Sequence, residues 1–381
     1  MSQALRRSLK DHFLELTDPR RGEPTYPLLN IVTIALCAVI CGADDFVAMA
    51  AWGRTKKDWL AQFLDMSAGV PSHDRFNAIL GALRPPEFEK CLLSFITALH
   101  EISGGQIVAI DGKTLRGSYD AASSKAAIHM VSAWATANHI TLGQVVVDAK
   151  SNEITAIPKL LEMLELFGCL VTIDAMGCQT EIAQKIVDAK ADYVLAVKDN
   201  QPTLHNGIQK FFLDHMGDDF ARVKVRRHET HERAHGRDMR RQYFVCDVPD
   251  ALPDRKRWAK LKSIGLAINE TRKIGRGRAD GEPTYEIRCY ILSRKLSGKQ
   301  FAAAVRGHWS IENQLHWQLD VSFREDHCRV RKGHADANLS SLRRTALSLL
   351  KNNHAHKLGI KNKRLTAAWN PDYLAQVLFG P

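Results

Sequence analysis

Between residues 106 and 197, apolar and amphipathic runs follow one another in an order that few folds accommodate. Gln106 to Ile110 is a short run of β-formers, stopped at Asp111-Gly112-Lys113. Ala126 to Ala137 and Ile140 to Val147 are strand-like and joined by a turn at Asn138-His139. Glu153 to Phe167 repeats Ile157, Leu160, Leu161 and Leu164 at helical spacing until Gly168, and Cys169 to Ile173 is then a short buried strand ending at Asp174. A helix from Gln179 to Ala189 and a strand from Tyr193 to Val197 complete the series. Three strands in a meander followed by crossover units imply an α/β fold built on a mixed sheet with helices on its faces.

That order is the one found in ribonuclease-H-like domains, where a final helix follows the fifth strand. Here residues 202 to 298 come first, highly charged, with strand-like stretches at Arg240 to Val248, Ser263 to Arg272 and Thr284 to Ser293 and a basic turn at Gly275 to Gly281. They read as a β-rich insertion, with the delayed helix at Gly298 to Leu319. The N-terminal region reads as helical. Leu5, Leu9, His12, Phe13 and Leu16 keep helical spacing as far as Asp18-Pro19. Leu28 to Cys41 is a buried helix closed by Gly42, and Phe46 to Leu64 holds another. Arg75 to Leu83 follows an N-cap at Ser72, and Pro85-Pro86 breaks the chain. A helical bundle explains this pattern, and so does a helix-turn-helix presenting Arg75 to DNA. The expected organisation is a helical N-terminal domain (1–100) with a capacity for DNA binding, the first part of the catalytic domain (101–201), the insertion (202–298), and the rest of the catalytic domain with C-terminal helices (299–381).

Three acids fall at informative places on this outline. Asp111 ends the first strand, Asp174 ends the fourth, and Glu312 lies on the delayed helix. In open α/β sheets the ligand crevice lies at strand ends, where the connection order reverses. Two carboxylates gathered there repel unless a cation lies between them. Oxygen ligands without cysteine favour Mg²⁺ or Mn²⁺ over zinc, and two such ions serve phosphodiester chemistry. The plain alternative for either aspartate alone is a turn former or helix cap. His308, Glu312, His316 and Asp320 recur every four residues and predict one polar helix stripe. A solvated face, or a transition-metal site on that stripe, would explain the same spacing, and Asp320 or Glu325 can stand in for Glu312. Trp309 and Trp317 lie beside Ile311, Leu315 and Leu319, which favours the core over stacking on an unpaired base.

The remaining features concern partners. Of 381 residues, 53 are Lys or Arg and 42 are Asp or Glu, a net charge of +11 that favours a polyanionic partner. Lys113, Arg116, Lys198, Arg306, His308, Arg324 and Arg331 surround the acids and are the expected DNA contacts, with Lys332, Arg343 and Arg344 further on. No apolar run reaches the roughly 20 residues of a membrane span, and no signal peptide opens the chain. A cytoplasmic, nucleoid-associated protein is the expectation. The eight cysteines include no CxxC pair and read as buried free thiols.

The segments Ile110-Asp111-Gly112-Lys113-Thr114, Thr172-Ile173-Asp174-Ala175-Met176 and His308-Trp309-Ser310-Ile311-Glu312-Asn313, with Leu319-Asp320-Val321, closely resemble bacterial insertion-sequence transposases of the DDE type, in the H-repeat-associated subgroup. The likeness runs over nearly the whole chain, from the helical N-terminal region through Arg344. It implies a catalytic and metal-holding triad of Asp111, Asp174 and Glu312 with two divalent ions. It also implies double-stranded DNA partners (terminal inverted repeats and target DNA), 3′-OH strand transfer, and a homo-oligomer on DNA. Relatives place a tyrosine, an arginine and a lysine where this chain has Val305, His308 and Leu319, so His308 and Arg306 are the candidates to replace those phosphate contacts. Two other functions share the fold: a structure-selective DNA nuclease, and a retired transposase that binds DNA without cutting it.

Overall fold

A computed structural model describes residues 10–99, 106–119, 126–147, 152–234, 236–275 and 278–380. The chain forms two compact units, one of residues 1–103, 112–152 and 311–381, the other of 104–111 and 153–310. The strands lie in one nine-stranded mixed sheet of order β3-β2-β1-β4-β5-β9-β8-β7-β6. They are β1 (Ile107–Leu115), β2 (Ile128–Ala135), β3 (Ile140–Val147), β4 (Leu170–Ile173), β5 (Asp192–Val197), β6 (Val225–Ala234), β7 (Arg237–Asp247), β8 (Ser263–Gly275) and β9 (Arg278–Leu292). The first five give the ribonuclease-H-like order expected from sequence: β2 and β3 are antiparallel, while β1, β4 and β5 are parallel.

In the first unit the N-terminal helices are α1 (Leu28–Ile40), α2 (Phe46–Thr55), α3 (Lys57–Leu60), α4 (His73–Ala82) and α5 (Pro85–Leu99). Ser72 caps α4, its side chain accepting from the Arg75 N–H. Pro85-Pro86 opens α5 instead of breaking the chain, because proline at the first helical position forfeits no hydrogen bond. A π-helical turn (Ile311–His316), α10 (Trp317–Ser322), α11 (Ala335–Asn352), α12 (Ile360–Trp369) and α13 (Pro371–Phe379) complete the unit. Helix α11 is buried from Ala335 to Leu350. Bonds offset the burial of several of its polar groups: Asn338 donates to the carbonyls of Leu80 and Leu83 at 2.7 and 3.0 Å, and the Ser341 hydroxyl accepts from Gln144 at 2.5 Å.

The second unit carries α6 (Glu153–Glu162), α7 (Thr180–Asp188), α8 (Pro202–Met216) and α9 (Gly298–Ser310). A helix does follow β5 directly, contrary to the sequence expectation: α8 buries only Leu204, Ile208 and Phe212 and is polar elsewhere. The insertion is β-rich as expected, and β9 joins it to the β5 edge, so β6 to β9 continue the same sheet. The core here packs Phe301, Ala302 and Val305 of α9 against Tyr243, Val245, Tyr290 and Leu292. Gly265 makes room for this, since a Cβ there would meet the Phe301 ring at 2.6 Å. Part of the expected basic turn at 275–281 lies outside the described residues. Seven cysteines are buried and Cys328 is half-buried, all free. No helix is long and apolar enough to cross a membrane among the described residues.

Candidate active site

In the second unit, β1 and β4 run parallel with Ile110 opposite Ile173. Asp111 is the next residue of β1, which runs on to Leu115 and does not end there as the sequence suggested, and Asp174 is the first residue after β4. Adjacent strands lie about 4.8 Å apart, so positions 63 residues apart in sequence both follow one paired row of the sheet, where β4 ends. Asp174 is fixed by the loop after β4, its Oδ1 accepting from the N–H groups of Met176 (3.1 Å) and Gly177 (3.3 Å). Burial, with the Glu153 carboxylate nearby, raises its carboxyl above the ordinary aspartate value, against the Gly177 bond and the charge of Lys198. Such a carboxyl is only partly compensated by Lys198, and hard oxygens at these two positions suit a divalent cation. Sequence reasoning missed Glu153, which opens α6 with no pattern to mark it.

His308 stands on α9, its Nδ1 3.3 Å from the Thr172 hydroxyl on β4. Burial first, and Arg288 further, lower the imidazole to about 4, so it is neutral near pH 7 and brings no positive charge to a phosphate. Lys198 is exposed just after β5. Arg306 is half exposed, 3.6 Å from Glu232. Arg288 lies over the Trp309 ring at 4.7 Å.

Glu312 belongs to the first unit, exposed on the π-helical turn. That turn breaks the expected stripe, because an i→i+5 turn inserts a residue and ends the four-residue repeat. Trp317 is 54% exposed, so it is not the core residue that its neighbours suggested, whereas Leu315 and Leu319 are buried. Asp320 faces Lys113, whose ammonium is 2.7 Å from Asp320 Oδ1, 3.1 Å from Asp326 Oδ1 and 3.9 Å from Glu325 Oε2. Lys113 is 8% exposed, and its charge is committed to these three acids. Burial, with Asp326 and Glu325 adding to it, raises the Asp320 carboxyl against the pull of Lys113. Glu325 is buried and accepts from Ser340 at 2.7 Å and Arg344 at 3.3 Å.

Arg343 and Arg344, expected among the basic residues trailing the last acid, are both buried. Arg343 donates to the Asp44 carbonyl and Arg344 bonds within α11 and to Glu325. Arg116 is 83% exposed and 3.7 Å from Asp326. Arg324 is exposed in a left-handed conformation, and Arg331 donates to the Gly117 carbonyl at 3.2 Å. Among the described residues, no group of three or more His, Cys, Asp or Glu is arranged to hold a metal.

A family model described as "Transposase DDE domain" matches residues 102–349, and one described as "DDE_Tnp_1-associated" matches residues 10–96. "Putative transposase YncI" of Escherichia coli O157:H7 is 41% identical over 378 residues, 97% of this chain and 94% of the relative. "H repeat-associated putative transposase YhhI" of Escherichia coli K12 is 38% identical over 379 residues, 98% of each chain. Among solved structures, a piggyBac transposase synaptic complex with hairpin DNA aligns with a TM-score of 0.43 at 10% identity, over 98% of this chain and 78% of that one.

Proposed function

Because the chain belongs to the family of transposases with a DDE domain, we propose that it cuts DNA at the ends of a mobile element and joins the freed 3′-OH to target DNA. Asp111, Asp174 and Glu312 are the residues that would hold two divalent ions, Mg²⁺ or Mn²⁺. When bound, such ions activate the attacking hydroxyl and stabilise the leaving oxygen. The observation carrying this reading is the register of β1 and β4, in which Asp111 and Asp174 follow the paired residues Ile110 and Ile173. Glu312 is preferred to Asp320 and Glu325 as third acid because it is exposed, whereas those two are engaged with Lys113 and Arg344. A π-helical turn is also a rare element that recurs at functional sites.

The chain's own residues then divide the remaining work. Arg116, Lys198, Arg306 and Arg324 are exposed and suited to the DNA backbone. His308 acts as a neutral hydrogen-bonding group between α9 and β4, and Arg331 reaches DNA only by leaving Gly117. Lys113 is best read as holding β1 to the acids around it. Double-stranded DNA with inverted repeats is the proposed substrate, bound by a homo-oligomer.

The test is nicking of a duplex carrying the inverted repeats that flank the gene, with Mn²⁺ present. Wild type is expected to nick it, and Asp111→Ala, Asp174→Ala and Glu312→Ala to lose that activity. Undiminished nicking by the variants would overturn the assignment. Cutting of unrelated branched DNA would indicate the nuclease, and binding without cutting under any metal the retired element.

A further inference from the structure

From Ala337 to Pro371 the chain contains no Asp or Glu, yet it holds seven Lys and Arg residues with His354 and His356. Most of this stretch lies past residue 349, where the family model ends. Several of its cations serve the fold. Arg343 and Arg344 are bonded as described, and Arg364 donates to the Val39 carbonyl and to Asp44 at 2.9 and 3.1 Å. Lys363 closes the end of α11, donating to the carbonyls of Leu350 (2.8 Å) and Asn353 (2.6 Å).

Lys351 is different. It is half-buried at the last turn of α11, and its ammonium donates to the Gln314 side chain on the π-helical turn, a neutral partner. Burial, with Lys363 adding to it, brings it down to about 8. His139 faces it from the β2–β3 turn, where burial first and the charges of Lys351 and His354 next lower the imidazole. The β2–β3 turn is held against this helix end by Asn352, which donates to the Asn138 carbonyl at 2.7 Å. Lys363 thus acts on Lys351, and Lys351 and His354 act on His139, with no carboxylate among the groups acting on either titrating side chain. Burial, together with the like charge of Lys363, raises the free energy of the charged ammonium, and an anion relieves it.

We propose that the C-terminal end of α11, with Lys351 at its centre and His139 and His354 beside it, is a binding site for a backbone phosphate of DNA, on the helical turn next to the one carrying Glu312. This rests on the reading of the chain as a DNA-processing protein. Lys363 contributes field and not contact, since its ammonium is held by carbonyls. The phosphate would raise the ammonium's proton affinity, so the complex takes up protons near pH 8 and weakens as pH rises above it.

The experiment measures fluorescence anisotropy of a labelled duplex with the full chain, without divalent metal, across a salt series. Lys351→Gln is expected to weaken binding five- to tenfold and to reduce the slope of log K against log salt by about 0.9, one phosphate. Lys351→Arg is expected to keep the wild-type slope and to lose the weakening between about pH 7 and about pH 9. Lys190→Gln, an exposed lysine on the second unit, is the control for general charge. Losing the ammonium also removes charge repulsion, so urea midpoints of Lys351→Gln and Lys351→Met should match or exceed wild type. If Lys351→Gln and Lys190→Gln weaken binding equally, the site is overturned while the DNA reading stands. Absence of duplex binding by wild type would overturn both.

Discussion

Gly177 is where a single atom decides the geometry of a proposed metal ligand. Its N–H is one of the two donors to Asp174, and a Cβ there would lie 2.3 Å from Ile173 Cγ2 and 3.1 Å from Ile157 Cδ1. Gly177→Ala must therefore push the loop away from the end of β4. The expected cost is about 1–3 kcal/mol in urea unfolding, as for other overpacked sites, with a loss of Mn²⁺-dependent nicking and unchanged duplex binding. Lys113 makes the opposite case, a basic residue read as a DNA contact whose geometry is internal. Replacing it by Met leaves Asp320, Asp326 and Glu325 without their shared cation. Because Asp320 and Asp326 are partly solvated, the expected destabilisation is about 1–3 kcal/mol and not the larger cost of a fully buried pair. Burial already raises the Asp320 carboxyl against the pull of Lys113, and without that lysine the opposing pull is gone, so folding binds a proton there as pH falls. The deficit is therefore largest at about pH 8 and narrows toward about pH 4, which urea denaturation at both pH values would show. Had Lys113 been free to bind phosphate, its removal would leave stability unchanged and weaken duplex binding instead.

At the scale of elements, alternation and helical spacing made the central strands and helices legible, because each buries one face in a regular period. The elements missed are those whose burial is slight. Strand β6 reads Val-Arg-Arg-His-Glu-Thr-His-Glu-Arg-Ala and holds its place through cross-strand ion pairs such as Glu229–Arg240 and Glu232–Arg241. An edge strand with charges along it shows no apolar period to a reader of sequence, and the charges themselves discourage edge-to-edge pairing. The end of β4 before Asp174 was legible because a short apolar run announces it, whereas β1 runs past Asp111 to Leu115 through Gly112, Lys113 and Thr114, which carry no apolar pattern. The partners of Lys113 and the contact of Lys351 with Gln314 were not legible either, since they come from segments far apart in the chain. The π-helical turn was hidden for another reason. A five-residue closure differs from a four-residue one by a single inserted residue, and no side chain type signals it. Deleting Asn313 should let Ile311–His316 close as an ordinary α-helical turn with the flanking helices keeping their faces. The expected result is a protein with a near-native urea midpoint and no detectable nicking, because Glu312 is re-aimed. Full activity in this variant would show that the turn has no part in placing Glu312.

At the scale of the molecule, net charge is a poor guide to where DNA lies, because most of it is already answered. Residues 202–298 contain 21 Lys and Arg against 13 Asp and Glu, so this segment carries +8 of the chain's +11. Its arginines are largely engaged: Arg226 with Asp247, Arg227 with Asp219, Arg233 with Asp238, Arg240 with Glu229 and Arg241 with Glu232. Lys210, Lys224, Lys256 and Lys262 are exposed and enter no ion pair among the described residues. If the insertion meets the DNA backbone, these four lysines are the cations able to do so without breaking a protein contact. Each that neutralises a phosphate contributes about 0.9 to the salt slope. Changing all four to Gln should therefore lower the slope by between about 1 and 4 units and leave the urea midpoint within about 0.5 kcal/mol of wild type. Changing Arg233 and Arg240 to Gln should shift the urea midpoint more than the slope, since their charges are spent on acids of the same sheet. A slope unmoved by loss of the four lysines would place the DNA on other surfaces, with Lys351, Arg116 and Arg324 the next cations to test.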